Sequence, residues 1–236
     1  MNDESSRLEE LLGLKWPPLA VSFRDAPPEG VARIESAAPA GCSYWKLAAG
    51  GRVFYTESSD HYNCPVGAYT HGIKLPNERR EELDGAMGMM LKLEYLQEEE
   101  IAMIPRHAES FGVAVYAPWS LSPCEADVVI VQGNAKQIML LWEAARAAGI
   151  HEAGEMMGRP TCAMIPATIQ SGRATISLGC IGNRVYNELD DDQLYVALPA
   201  HTMNEVIKHL ETVVEANRQL EIFHGERLTS VSSEAN

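Results

Sequence analysis

Apolar positions recur along this chain in two spacings, one helical and one alternating. Leu8, Leu11 and Leu12 form one stripe, with Ser6 and Glu9 spaced as a capping box and Gly13 at the end, which predicts a short N-terminal helix. Pro17 and Pro18 stop it, and LAVSF (19–23) reads as a buried strand. A Gly50-Gly51 turn leads into a strand at about 52–56. Residues 77–97 predict a helix on which Leu83, Met87, Met90, Leu91 and Tyr95 recur at helical spacing, a stripe read as core filler. VAVYAP (113–118) and DVVIV (127–131) predict strands, and 133–149 a helix closed by Gly149. The C-terminal GERLTSVSSEAN is polar and predicts a frayed tail over 226–236.

The pattern repeats. The segment beginning CSYWKLAAGGRVFYT and ending NCPVG resembles CAMIPATIQSGRATISLGCIG: cysteine, Gly-Arg, alternating strand, cysteine, then an apolar residue and glycine. VVIVQGNAKQIMLLWEA likewise resembles YVALPAHTMNEVIKHLET, strand then amphipathic helix. These matches predict one α+β domain over residues 1–225. Two pseudo-repeated halves, about 14–150 and 151–223, each supply antiparallel strands with packed helices. The first half carries a helical insertion near 77–100. On this reading the strands after Gly51-Arg52 and Gly172-Arg173 overlay, as do the helices at 134–148 and 202–215.

Charge narrows the partners. Acidic residues number 33 against 19 basic ones, a formal charge of −14. Such a field repels phosphate backbones and anionic lipid, so neither nucleic acid nor membrane is expected as a partner. No signal-peptide pattern or membrane-length apolar run is present, which points to the cytoplasm, and a homo-oligomer remains open. There the five cysteines stay mostly reduced unless they bind metal or turn over in redox chemistry.

Four of the five fall in the repeat: Cys42 and Cys64 correspond to Cys162 and Cys180. Their separations are far longer than the Cys-x-x-Cys of zinc knuckles, but a strand in each gap brings both members of a pair to one end of a hairpin. Two pairs facing across a pseudo-axis supply up to four soft sulfur ligands, suited to an iron–sulfur cluster, or alternatively to zinc or copper(I). Three readings stand: metal ligands, inherited buried thiols without a cofactor, or thiol catalysis without metal. His61 and His71 flank Cys64 and could add a nitrogen ligand or a proton donor. Cys124 has no repeat partner and reads as a bystander. Arg52 and Arg173 occupy matching places and could hold an anion by their planar forks.

The strand PPLAVSF, the CSYW and AAGGR block, HYNCPVGAYTHG, GRPTCAMIP, LGCIGNR and YVALP follow one another in an order that resembles domain-of-unknown-function family 169, uncharacterised proteins of archaea and bacteria. The resemblance runs from Leu8 to about Ile222 and brings no established reaction. Functional weight therefore rests on the cysteines. The leading expectation is a thiolate-ligated metal protein, an iron–sulfur protein first, in redox or anaerobic small-molecule metabolism. It would meet a small-molecule ligand or a redox partner. The alternative is a non-catalytic module or sensor that binds a small anion between the halves.

Overall fold

The computed structural model describes residues 3–151, 156–157 and 159–234. Its elements run α1 (Asp3–Leu12), β1 (Leu19–Arg24), α2 (Ser43–Ala49), β2 (Phe54–Thr56), α3 (Pro65–Thr70), α4 (Asn77–Lys92), α5 (Glu98–Met103), β3 (Val113–Pro118), β4 (Val128–Asn134), α6 (Ala135–Ala147), β5 (Met156–Met157), α7 (Met164–Ser171), β6 (Thr175–Ser177), α8 (Ile181–Asn187), β7 (Gln193–Pro199) and α9 (Met203–Glu234). The strands form one sheet in the order β2-β3-β1-β4-β7-β6-β5, antiparallel except for β5 against β6. The chain is an α+β domain.

Strand alternation sorts side chains onto two faces. Ala20, Val129, Val131, Val196 and Leu198 join Leu8, Ile138, Leu141, Val206 and Leu210 in one core, under the layer formed by α1, α6 and α9. Helix α6 starts on a full capping box: Asn134 Oδ1 accepts from Gln137 N at 3.0 Å, and Gln137 Oε1 accepts from Asn134 N at 2.8 Å. On the other face Val21, Phe54, Tyr116, Ile130, Tyr195 and Ala197 pack with Tyr44, Trp45, Met164 and two cysteines, Cys42 and Cys162.

The sheet register carries a pseudo-two-fold. Ala20 lies opposite Val129, and the flanking pairs Leu19–Ile130 and Val21–Val128 exchange when Leu19 is mapped onto Val128. The same mapping turns the pair Leu19–Pro118 into Val128–Pro199, and Phe54–Tyr116 into Thr175–Ala197. It reaches the edges too, where the isolated parallel bridge Arg33–Tyr55 answers the parallel pair Met156–Ile176. The mates are β1 with β4, β2 with β6, and β3 with β7.

The expected equivalence of the strands after the two Gly-Arg pairs thus agrees with the register. The helix equivalence does not. Helices α6 and α9 follow β4 and β7, which are adjacent strands rather than mates, and the two helices pack against each other on one face. Their similar sequences answer to the same job, an apolar stripe laid on the same side of one sheet. The register accordingly divides the repeat between β3 and β4, not near residue 150. The helical insertion in the first half is present as α4 and α5.

Two further expectations need correcting. Helix α4 has no fully buried residue: Leu83, Met87, Met90 and Leu91 are half-buried, and Tyr95, beyond its end, is exposed, because the insertion lies outside the two sheet cores and only Leu83 packs on a small cluster of Ala68, Ile73 and Leu75. The C-terminal tail expected to fray over 226–236 continues α9 to Glu234, since no proline interrupts it and a lone Gly225 does not end a helix. Residues 235–236 of that tail lie outside the described residues.

Candidate functional site

The second face of the sheet gathers the repeat cysteines. Cys64 and Cys180 are the N-cap residues of α3 and α8, the helices that follow the mated strands β2 and β6. Cys42 directly precedes α2, and Cys162 lies in the single turn Thr161–Ala163 that leads into α7. Helix α2 contacts α8, and α3 contacts the Thr161–Ala163 turn, so each half lays its second cysteine helix on the first cysteine of the other half. Cys64 and Cys180 thereby come within charge range of both Cys42 and Cys162. Burial pushes the Cys42 thiol up to about 12, and Cys64 and Cys180 both lie close enough to raise the cost of ionising it further. Cys162 is pushed well above its ordinary value, again by burial first, then by Cys64, Cys42 and Cys180. Cys124, between β3 and β4, is not among the charge neighbours of either buried thiol.

Local contacts fix the sulfurs. Gly67 N donates to Cys64 Sγ at 3.3 Å. Thr70 Oγ1 lies 2.9 Å from Gly67 O, to which it donates, and 3.3 Å from Cys162 Sγ, so that sulfur contact is one in which the thiol S–H can donate. Cys180 N donates to Thr161 Oγ1 at 2.5 Å, and Asn187 Nδ2 donates to Cys42 O at 3.1 Å. Asn183, 1% exposed, stands near enough to the Cys42 thiol to offset part of its rise, without a hydrogen bond of normal geometry.

His61 and His71 border this group, their ring centroids 5.4 Å apart. Thr56 Oγ1 donates to Ala114 O, so His61 Nε2, at 2.9 Å, is the donor to Thr56 and Nδ1 keeps the lone pair. His71 Nδ1 lies 2.8 Å from Gly67 O and must carry the proton, leaving the lone pair on Nε2. Neither lone pair has a partner. Burial lowers both imidazoles, His61 well below its ordinary value and His71 to about 4.

Unmet polar groups concentrate on this face. Buried side-chain atoms of Ser43, Trp45, His61, His71, Tyr116, Asn183 and Asn187 lack partners, whereas Ser22 is the one such residue elsewhere among the described residues. An unsatisfied buried group costs about 1–3 kcal/mol. Sequence reasoning did not single out Tyr116, Asn183 or Asn187. The available signal was a tyrosine inside the otherwise aliphatic strand VAVYAP.

The thiols do not already form a metal site: among the described residues no group of three or more His, Cys, Asp or Glu side chains has metal-binding spacing. Ligation would require the sulfurs to turn toward a common centre. Arg52 and Arg173 hold matching positions but do not meet. They precede β2 and β6, which have four strands between them, roughly 24 Å at ordinary strand spacing. Arg52 lies 4.0 Å from Glu35 and over the Phe54 ring.

Two clefts flank the thiol face at mated positions. One, about 310 Å3, is lined by Trp16, Trp45, Asn187, Asp190 and Tyr195 among others. The other, about 600 Å3, has Glu125 in the place of Trp16 and Glu109 in that of Asp190, together with Phe23, His107 and His201. Phe23 packs against both His71 and His107. Gly72 ties this region together: its φ is +71°, and a Cβ there would stand 2.6 Å from His107 O. Gly72→Ala is expected to cost about 1–3 kcal/mol, read as a lowered thermal midpoint.

The match to known sequences covers this whole arrangement. A family model, that of the uncharacterised ArCR proteins or domain of unknown function 169, matches residues 7–209, which includes all four cysteines, both histidines and both clefts. The chain belongs to this family. It is also similar to an uncharacterised protein of Methanocaldococcus jannaschii, 24% identical over 225 residues, 89% of this chain and 94% of the relative. No solved structure matches significantly. No helix among the described residues is long and apolar enough to cross a membrane.

Proposed function

We propose that this protein of family 169 is a thiolate-ligated metal protein, with an iron–sulfur cluster as the first reading and zinc as the second, acting in redox chemistry of a small molecule. The observation that carries the reading is that Cys42 and Cys162 are buried on one face of the sheet, with the half-buried Cys64 and Cys180, drawn from both halves, within charge range of them. Thiolates are the ligands such centres use. The unmet polar atoms around them support it, since a bound centre and its inorganic atoms would give that interior partners.

Each part has a stated role. The four cysteines would be the ligands. Gly67 N, already on Cys64 Sγ, is a donor of the kind that tunes a sulfur-ligated centre. Buried thiols hold their protons until a cation replaces them, so loading releases protons. His61 and His71, on either side of Cys64 in the sequence, each carry an unpartnered lone pair that could accept a proton. A redox partner or small-molecule substrate would approach through the flanking clefts.

Metal and acid-labile sulfide analysis of anaerobically purified protein, with its visible spectrum, tests the reading. Brown protein with stoichiometric iron and sulfide is the expected result. Colourless protein free of iron, sulfide and zinc would return the chain to the binding-module alternative.

A further inference from the structure

Comparing the two halves shows which helix surface this chain leaves bare. Helices α3 and α8 are mates, each capped by a repeat cysteine. The insertion covers α3: Ala68, Ile73 and Leu75 are buried with Leu83 of α4 packed on them, and Arg106, just past α5, lies 4.3 Å from the centre of the Tyr69 ring. In the second half only residues 188–192 separate α8 from β7, so nothing equivalent covers α8. Ile181 is 73% exposed and Val185, in the place of Tyr69, 64%. They stand one turn apart on one side of the helix, with Leu178 and Tyr186 exposed nearby.

A groove of about 530 Å3 lies beside that helix, lined by Tyr95, Leu96, Met103, Ile104, Met157 and Ala163 among others. Leu178 N donates to Met157 O at 3.0 Å and Cys180 N to Thr161 Oγ1 at 2.5 Å, so the chain entering α8 runs along the groove wall. The outer lip belongs to the insertion, where Met103 is 76% exposed. The groove's two charged residues, Arg159 and Glu100, pair at 3.5 Å, with Arg159 4.0 Å from the centre of the Tyr95 ring. Arg184, the one basic residue of α8, donates to the carbonyls of Leu178, Asp190 and Gln193. An apolar ridge and an apolar groove with matched charges thus sit side by side on one chain. A two-fold contact needs that arrangement, because each copy then fills the groove of the other and neither is left open.

We propose that the occupant is a second copy of this chain, in a two-fold dimer where Ile181 and Val185 of each α8 enter the groove of the other copy, against the partner's Tyr95 and the partner's Met103. The insertion then serves both cysteine-capped helices, α3 in its own chain through Leu83 and α8 in the other through its outer side. The seam runs beside Cys180, at the root of α8, and beside Ala163, next to Cys162. The second copy therefore roofs one end of the thiol face. The dimer does not depend on the metal reading, and either can fail alone.

Sedimentation velocity and light scattering on the full chain at micromolar concentrations test this, in reductant to exclude disulfides between copies. The expected result is a mass twice 25.9 kDa. Ile181→Glu and Val185→Glu on α8, and Met103→Glu on the groove lip, are each expected to weaken self-association at least about a hundredfold, because the contact would bury a carboxylate without a partner. Phe223→Glu, at an exposed apolar position of α9 outside the patch, is expected to leave the dimer intact. Far-UV circular dichroism checks that each variant folds, and Tyr95→Ser stands in for Met103→Glu if that one does not. A monomer throughout the concentration range overturns the proposal, as does an assembly that keeps growing beyond two copies. So does a dimer that survives the α8 variants or the groove variant, or one that Phe223→Glu dissociates, since its contact would then lie on another face.

Discussion

Replacing Cys64 or Cys180 by serine is expected to strip the protein of bound metal, whereas Cys124→Ser leaves its metal content unchanged. Cys64 is a charge neighbour of both buried thiols and caps α3, whose Thr70 touches Cys162. A serine there keeps the cap and nearly the same volume, so packing is conserved while the soft ligand is lost. Cys180 occupies the mated cap of α8 and should behave alike. A ligand at a thousand times its Kd stabilises a fold by about 4 kcal/mol, and both variants should forfeit a term of that order. Metal analysis and thermal unfolding of the three variants, prepared anaerobically, check this. Equal metal in Cys64→Ser and wild type would remove Cys64 from the ligand set.

Acid should destabilise the fold well before its carboxylates dominate. His71 is fully buried and neutral, its imidazole lowered to about 4 by burial, against about 6.5 in the unfolded chain. Between those values the unfolded state takes up a proton that the folded state refuses. Stability is therefore complete above about 6.5 and falls as the pH drops toward 4, by roughly 3 kcal/mol for His71. His61, lowered well below its ordinary value, adds a loss of the same sign. The alkaline arm has the opposite origin. Cys42 keeps its proton to about 12, so stability declines as the pH rises above the ordinary thiol value. Denaturation midpoints in a chelating buffer from pH 7.5 to 4.5 measure the acid arm. His71→Asn should flatten it relative to wild type, and parallel curves would show that His71 is not a source of the slope.

The cysteine pairing was legible because it lies in local order: Gly-Arg, a short strand, then a cysteine opening a helix. That order survives low sequence identity, since the turn and cap chemistry recur at both places. The mispaired helices show where such reading stops. An amphipathic helix reports which surface it covers, and α6 and α9 cover the same one, so their likeness says nothing about mated positions. Only the register of Ala20 against Val129 decides that. Arg52 and Arg173 stay apart for a related reason, because a two-fold in the middle of a long sheet sends matching edge residues to opposite ends. The stripe on α4 had helical spacing but meets only the small cluster of Ala68, Ile73 and Leu75, through Leu83, and periodicity alone does not report how large a core a helix faces. The closeness of His61 and His71 was not legible either. It depends on the Ser58–His61 turn and α3 folding back on each other, which the intervening Pro65-Val66-Gly67 allows but does not dictate.

X-ray absorption at the edge of the metal that copurifies under anaerobic conditions tests the central claim most directly. A first shell of sulfur alone, at about 2.3 Å, is expected for thiolate ligation by Cys42, Cys64, Cys162 and Cys180. A shell of oxygen or nitrogen only, or the absence of any stoichiometric metal, would contradict it.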